Sequence, residues 1–267
     1  MSLIGWWPFT IDGRNQGTIS TANASGYTLE ENGKLGKCAY FNKSYYNSSI
    51  NSTTSWNPWI TGATIAGWVK VNYADYKTQV AGLTFSSSQS AATGNFFGST
   101  SYGGTGIVWV SNTISSGGTI SPLTSISVFG YMRSGSNTKS TTSKQLPNNI
   151  WTHLALTADP LTQVLSFYMN GELVGTVSYS GLAAYTDTRA FCINRSEVYG
   201  GNGPGVSGQA RYNDVRLYDH ALTPGEIKEL SRGLLVHYDF NYLDTGSNII
   251  VDPNDWANRY TKPDGSG

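Results

Sequence analysis

Apolar residues recur mostly at every second position along this chain. In IAGWVKV (65–71), Ile65, Gly67, Val69 and Val71 fall on one side, and in WTHLALT (151–157) Leu154 and Leu156 share a face. This is the period of a half-buried β-strand, because successive side chains leave a strand on opposite faces. VLSFYM (164–169) and ELVGTVSY (172–179) flank Asn170-Gly171, the residue pair that suits the two positive-φ positions of a type I′ turn. The pattern predicts further strands at 3–9, 37–41, 79–85, 106–111, 125–133, 189–194 and 209–218. Ser, Gly, Thr and Asn dominate 86–105, 112–121, 134–149 and 195–208, which read as exposed connections.

One segment departs from the period of two. Thr223-Pro224-Gly225-Glu226 places Thr at the N-cap, Pro at the first helical position and Glu at the third, a capping box. Leu222 and Ile227 are spaced for a hydrophobic staple across it. A helix is predicted over 224–232, stopped by Gly233 in a left-handed conformation. After it, LLVHYDF (234–240) echoes the opening LIGWWPF (3–9). Residues 1–232 read as one domain, and 233–267 as the start of a second unit or a C-terminal linker. The other reading makes the last segment a strand of the same domain.

Composition narrows the function classes. The formal net charge is zero and charged residues are 13 % of the chain, which argues against nucleic acid as the main partner, since phosphates demand a basic face. No apolar stretch approaches the ~20 residues that span a bilayer. The start, MSLIGWWPFT, has no cationic region followed by an apolar run, so no signal peptide is expected. The two cysteines, Cys38 and Cys192, sit in apolar strand-like segments and read as buried thiols, with a disulfide as the alternative.

The acids do not form a catalytic pattern. Sandwich glycosidases need two carboxylates about 5–5.5 Å apart for retention. The Glu residues at 30, 31, 172, 197, 226 and 229 show no close repeat along one strand. Glu30 and Glu31 sit beside a turn, Glu172 ends a hairpin, and Glu226 and Glu229 lie on the helix; Glu197 alone falls in a rim loop. His153, His220 and His237 are dispersed, and His153 is expected to pack beside Trp151 rather than act as a base. The chain is expected not to be an enzyme.

Four segments taken in order carry a family resemblance. LIGWWPF opens the chain. GKLGKCAYFN (33–42) follows, with Asn42 where an Asp-Gly often stands. TIAGWVKV pairs with WTHLALTADPLTQVLSFYMNGELVGTV (151–177). YNDVRLYDHALTPGEIKEL (212–230) closes the set. Together they resemble the laminin-G-like, concanavalin-A-like domains of phage, bacterial and extracellular proteins, over about residues 3–232. The resemblance implies an all-β, two-sheet antiparallel jelly-roll sandwich with one short C-terminal helix. That fold hosts lectins, adhesion modules and glycosidases alike, so function has to be argued from the site. The resemblance also implies a structural Ca²⁺ held by Asp214, with main-chain carbonyls near Phe9 and from the Gly33–Gly36 turn, Gly36 included. Chelation is then expected to lower the melting temperature. The alternative is that Asp214 pairs with Arg216 or accepts backbone N–H groups.

The expected ligand is a glycan, since sugar rings stack on Trp and Tyr while their hydroxyls bond Asn and backbone groups. Tyr199 and Asn202 in RSEVYGGNGPGVSG (195–208) are the first candidates, followed by Trp109 with Tyr102. Tyr73 with Tyr76, and Trp56 with Trp59, are further pairs; any of these rings also suits a scaffold role. The reading is a virion surface module, such as a tail fibre, head fibre or decoration, made in the host cytoplasm and binding host-surface carbohydrate. Other virion proteins are its expected partners, and a homo-oligomer, often a trimer in such fibres, is implied. The alternatives are a structural assembly domain that binds no sugar, and an adhesin on a bacterial cell surface.

Overall fold

The computed structural model describes residues 2–18, 24–42, 46–51, 57–74, 93–99, 103–111, 125–184, 190–196, 209–233, 249–251 and 259–261. The chain divides into two compact units, Met1–Arg232 and Gly233–Gly267. In the first, the strands are β1 (Leu3–Trp7), β2 (Thr28–Glu30), β3 (Cys38–Asn42), β4 (Tyr46–Asn51), β5 (Ala63–Lys70), β6 (Thr93–Ser99) and β7 (Gly103–Ser111). They continue with β8 (Ile126–Ser134), β9 (Asn137–Ser140), β10 (Lys144–Leu146), β11 (Thr152–Asp159), β12 (Val164–Met169), β13 (Glu172–Ser178), β14 (Ala190–Ser196) and β15 (Gln209–Tyr218). Helix α1 (Pro224–Arg232) ends the unit. In the second unit the described residues form one antiparallel pair, β16 (Ile249–Val251) with β17 (Arg259–Thr261). The echo at 234–240 and the expected strand at 79–85 lie outside the described residues.

Two antiparallel sheets make the sandwich. An eight-stranded sheet runs β13-β12-β11-β5-β15-β3-β2, with β1 also paired to β15. A seven-stranded sheet runs β10-β8-β7-β6-β14-β4, with β9 on β8. Alternate residues of both sheets meet in one core: Ile65, Leu156, Phe167 and Leu217 from the first face Ile107, Val128, Met132 and Ile193 of the second. Trp7 stacks on Phe191 across the gap at 5.4 Å. Tyr212 of β15 is fully buried among Phe41, Phe96 and Phe97. Its hydroxyl donates to Asn194 Oδ1 of β14 at 2.9 Å, so a polar bond crosses the apolar layer.

β15 changes partner halfway along. Gln209–Tyr212 pair with β3, whereas Val215–Tyr218 pair with β1. Between them the ladder with β5 shifts register, and Asp214 has φ +51°. This is a β-bulge, which turns a strand and ends one pairing.

The local signals in the sequence are realised. Asn170 and Gly171 have φ of 52° and 80°, and the turn they make joins β12 to β13. Asn170 Oδ1 accepts the His153 N–H at 2.9 Å, tying the turn to β11. Thr223 and Glu226 exchange capping-box bonds at 2.7 Å and 3.3 Å. Leu222 and Ile227 then press α1 on Ala66, Ala155 and Tyr168, the outer face of the eight-stranded sheet. Gly233 has φ +77°. Among the described residues no helix is long and apolar enough to cross a membrane.

Three expectations are corrected. The expected connection 86–105 contains β6 and the start of β7, because its glycines serve close packing rather than turning. A Cβ on Gly98 would lie 2.5 Å from Gly106 Cα on the neighbouring strand. The expected connection 134–149 contains β9 and β10, short polar strands bound to β8. His153 does not pack beside Trp151. Its ring meets that of Trp68, its cross-strand partner on β5, at 5.3 Å, while Trp151 Nε1 donates to Asn32 O. Residues directly opposite in a ladder are closer than those two apart on one strand. Cys38 and Cys192 are both buried and not joined in a disulfide.

Two tests follow from this packing. Gly171→Ala would set a Cβ 2.3 Å from Ser231 Oγ of α1 in a left-handed backbone, and should cost about 1–2 kcal/mol, read as a lower urea midpoint at unchanged slope. His153 is 2 % exposed, and burial, aided by Arg216 and opposed by Asp214, lowers its pKa from 6.5 to about 4. Between those values the unfolded chain binds a proton that the folded chain does not. Stability should therefore fall as pH drops from 6.5 to about 4, by on the order of 3 kcal/mol. Urea titrations at stepped pH read this, and His153→Leu should flatten that part of the profile.

Candidate functional site

Of the rings nominated from sequence, Trp109, Tyr73 and Trp59 stand on described residues. Tyr199, Asn202 and Tyr102 lie outside the described residues, as do Tyr76, Trp56 and Glu197. Trp109 stands on β7 opposite Gly94 and Val128. Tyr73 is a correction: it is 8 % exposed, its hydroxyl donates to Leu146 O and accepts from Ile126 N, and it is a scaffold residue. Trp59 is half-buried and packs on the core.

The outer face of the seven-stranded sheet is closed where it is described. Val108, Phe129 and Tyr131 form a buried cluster there. Beside them, buried Asn95 donates to the Tyr131 hydroxyl at 3.4 Å. No ring on this patch is presented for stacking.

The opposite outer face carries an open groove of about 840 Å³, within the ~300–1,000 Å³ of small-molecule sites. Its floor is β12, where Val164, Ser166 and Tyr168 alternate outward, together with Thr157 of β11. Three separate turns build the walls. In the first, Asn57 O accepts the N–H groups of Ile60, Thr61 and Gly62, a tight turn that leaves Ile60 67 % exposed on the rim. In the second, Asp159 accepts Leu161 N at 3.0 Å and Thr162 Oγ1 at 2.8 Å, and this turn leaves Leu161 93 % exposed. The third is the link from β15 to α1. Thr64 pins it from β5, donating to His220 O at 2.7 Å and accepting Leu222 N at 2.8 Å.

The groove offers hydroxyls on its floor and ends, and aliphatic surface on its rim. Its two carboxylates, Asp159 and Glu226, are occupied by their own turns. The Thr223 N–H and then its hydroxyl hold the Glu226 carboxyl below the usual range, the opposite of what a general acid needs. His220 Nδ1 lies 2.9 Å from Asp219 Oδ1. Both lining carboxylates are thus held within their own turns, and His220 is paired with Asp219. These residues were not nominated from sequence. One local clue was present: Asp-Pro-Leu-Thr (159–162), an Asx-turn signature that pushes a leucine into solvent.

Asp214, Phe9 and Gly36 all have positive φ, at 51°, 56° and 86°, and Asp214 N–H donates to Pro8 O, the residue before Phe9, at 3.1 Å. Their chemistry does not fit Ca²⁺, which takes six to eight oxygens at about 2.3–2.6 Å. Asp214 Oδ1 accepts Trp6 Nε1 at 2.7 Å and Arg216 Nε at 2.8 Å, so its charge is answered by a guanidinium. The nearby carbonyls of Pro8 and Lys37 accept the side-chain amide of Asn213. The pairing with Arg216, the alternative read from sequence, is present. Among the described residues no group of three or more His, Cys, Asp or Glu is placed to hold a metal.

Comparison with curated proteins finds no match. Among solved structures, the binding domain of Paraclostridial Mosquitocidal Protein 1 superposes with a TM-score of 0.59 at 15 % identity, over 86 % of this chain and 52 % of that one. The Botulinum neurotoxin serotype G binding domain gives 0.56 at 13 %, over 86 % and 50 %. Domain 4 of AbnA, a GH43 extracellular arabinanase from Geobacillus stearothermophilus, in complex with arabinotriose, gives 0.50 at 16 %, over 86 % and 98 %. At such identities the likeness is one of fold, and this chain spans about half the length of the first two binding domains. A family model, Laminin_G_3, matches residues 42–228, well over half of the chain. With that match and the two-sheet jelly roll described above, the chain belongs to the concanavalin A-like lectin/glucanases superfamily.

Proposed function

We propose that this chain is a non-catalytic, lectin-like module that holds a carbohydrate in the groove beside α1. The observation that carries this reading is the groove itself. Ser166, Thr157 and Thr162 offer hydroxyl partners beside the exposed aliphatic surface of Ile60 and Leu161, while both carboxylates are already hydrogen-bonded. Sugars present just such a mixture of hydroxyls and C–H faces. That one neighbouring fold is in complex with arabinotriose, and two are binding domains, supports recognition rather than bond cleavage.

The setting we propose is the surface of a virion, as a tail fibre, head fibre or decoration protein that meets host-surface carbohydrate. The neutral, Ser/Thr/Asn/Gly-rich β composition and the laminin-G pattern support it. The exposed apolar rim favours one second reading, in which Ile60 and Leu161 seat a neighbouring protein of the assembly and no sugar binds.

Glycan arrays and pull-down on bacterial cell-wall material test the proposal. Ser166→Arg, which fills the floor, and Leu161→Asp should each weaken binding about tenfold or more without lowering the melting temperature. Tyr199→Ala should leave it intact. Loss in Tyr199→Ala alone would move the site to the 195–208 loop. Absence of any glycan signal, with Leu161→Asp releasing a protein partner, would favour the assembly reading.

A further inference from the structure

We infer that the Asn213 amide occupies the place of a cation where β15 passes from β3 to β1, so that the junction is metal-free by construction and one atom-scale change opens it to a hard dication. The partner change leaves two chain ends to be secured: Pro8, just after β1, and Gly36-Lys37, just before β3. Both direct a carbonyl at the same buried point. Asn213 Nδ2 donates to Pro8 O at 2.6 Å and to Lys37 O at 3.0 Å, and Asn213 is fully buried.

Two carbonyl oxygens converging out of water call for a positive partner between them: without one the Lys37 oxygen loses this bond, at a cost of ~1–3 kcal/mol, and the Pro8 oxygen keeps the Asp214 N–H at 3.1 Å. An NH₂ group and a cation are the two chemical solutions. The amide orientation here is fixed by its other end, because Asn213 Oδ1 accepts the Leu35 N–H at 2.6 Å. A flipped amide would set oxygen against two carbonyls and NH₂ against N–H. Every partner at the point is thus satisfied by neutral groups.

Nor does the surrounding charge leave room for an ion. The Asp214 carboxylate, 5 % exposed, is engaged by Trp6 Nε1 and by Arg216, and the Arg216 guanidinium lies 5.1 Å from the Trp6 ring centre. A dication added beside that pair would be a buried charge without an anion, which is costly.

Asn213→Asp reverses the logic while keeping the shape. It puts a carboxylate against the Pro8 and Lys37 carbonyls, repulsive when empty. With Ca²⁺ between them, the same three groups become hard oxygen ligands that water can complete.

Melting curves of the intact chain in EDTA and in millimolar CaCl₂ test this, with terbium luminescence as a direct binding readout. The wild type should melt at one temperature in both and show no bound terbium. Asn213→Asp should melt several degrees lower in EDTA, recover in CaCl₂ and bind terbium; Asn213→Ala should fall equally in both. A calcium-dependent wild-type melting point, or saturable terbium binding by it, would overturn the inference. So would an Asn213→Asp variant that folds but ignores Ca²⁺. Should that variant not fold, the wild-type arms still decide the metal-free claim. The groove beside α1 is built from other residues, so carbohydrate binding can fail or succeed independently.

Discussion

A strand that must satisfy two successive partners on one edge is the constraint on which the rest of this sandwich depends. β15 is bonded along its other edge to β5, near the middle of the eight-stranded sheet. If it followed β3 throughout, β1 would have no edge to join. The bulge at Asn213-Asp214 makes the change possible, and both residues then spend their polar groups closing the gap it opens. Asp214 N–H reaches Pro8 O at 3.1 Å, while its carboxylate holds Trp6 and Arg216. A left-handed backbone at a non-glycine residue is tolerated because these bonds over-determine it. Tyr212, one residue earlier, sits at the centre of the aromatic core and reaches the opposite sheet. The strand therefore fixes in-plane order and sheet-to-sheet spacing within three residues.

How much of this was legible in the sequence depended on the range of the interaction. The helix over 224–232 and the Asn170-Gly171 hairpin are specified by neighbours in the chain, and both are where the residues place them. The alternation at 65–71 and 151–157 marks two strands that pair with each other, because one buried face demands period two. Gly98 and Gly106 could not be read, since whether a glycine turns the chain or admits a neighbouring backbone is decided by a strand elsewhere. His153 was misplaced for the same reason: its neighbour Trp68 is opposite in the ladder and distant in sequence.

The groove illustrates the limit most clearly. Its walls come from 57–61, 159–162 and 219–226, and each is locally an ordinary turn. Nothing in any one of them announces that Ile60, Leu161 and Glu226 border the same space. The metal expectation met a complementary limit. It looked to Asp214 and to carbonyls near Phe9 and Gly36, and counted oxygens without counting the N–H groups of Trp6, Asn213 and Arg216 that bond Asp214, Pro8 and Lys37 there. The place came from the family resemblance; the hydrogen-bond donors around it did not.

The two cysteines carry a practical consequence. Cys38 belongs to one sheet and Cys192 to the other, each with no solvent exposure. Burial raises the Cys38 pKa to about 11, so its reactive thiolate form is scarce at neutral pH. Alkylating reagents can reach either sulfur only when the residues covering its own strand open. The pair thus forms a native clock with one reporter in each sheet, whose labelling rates count how often each strand's cover opens under working conditions.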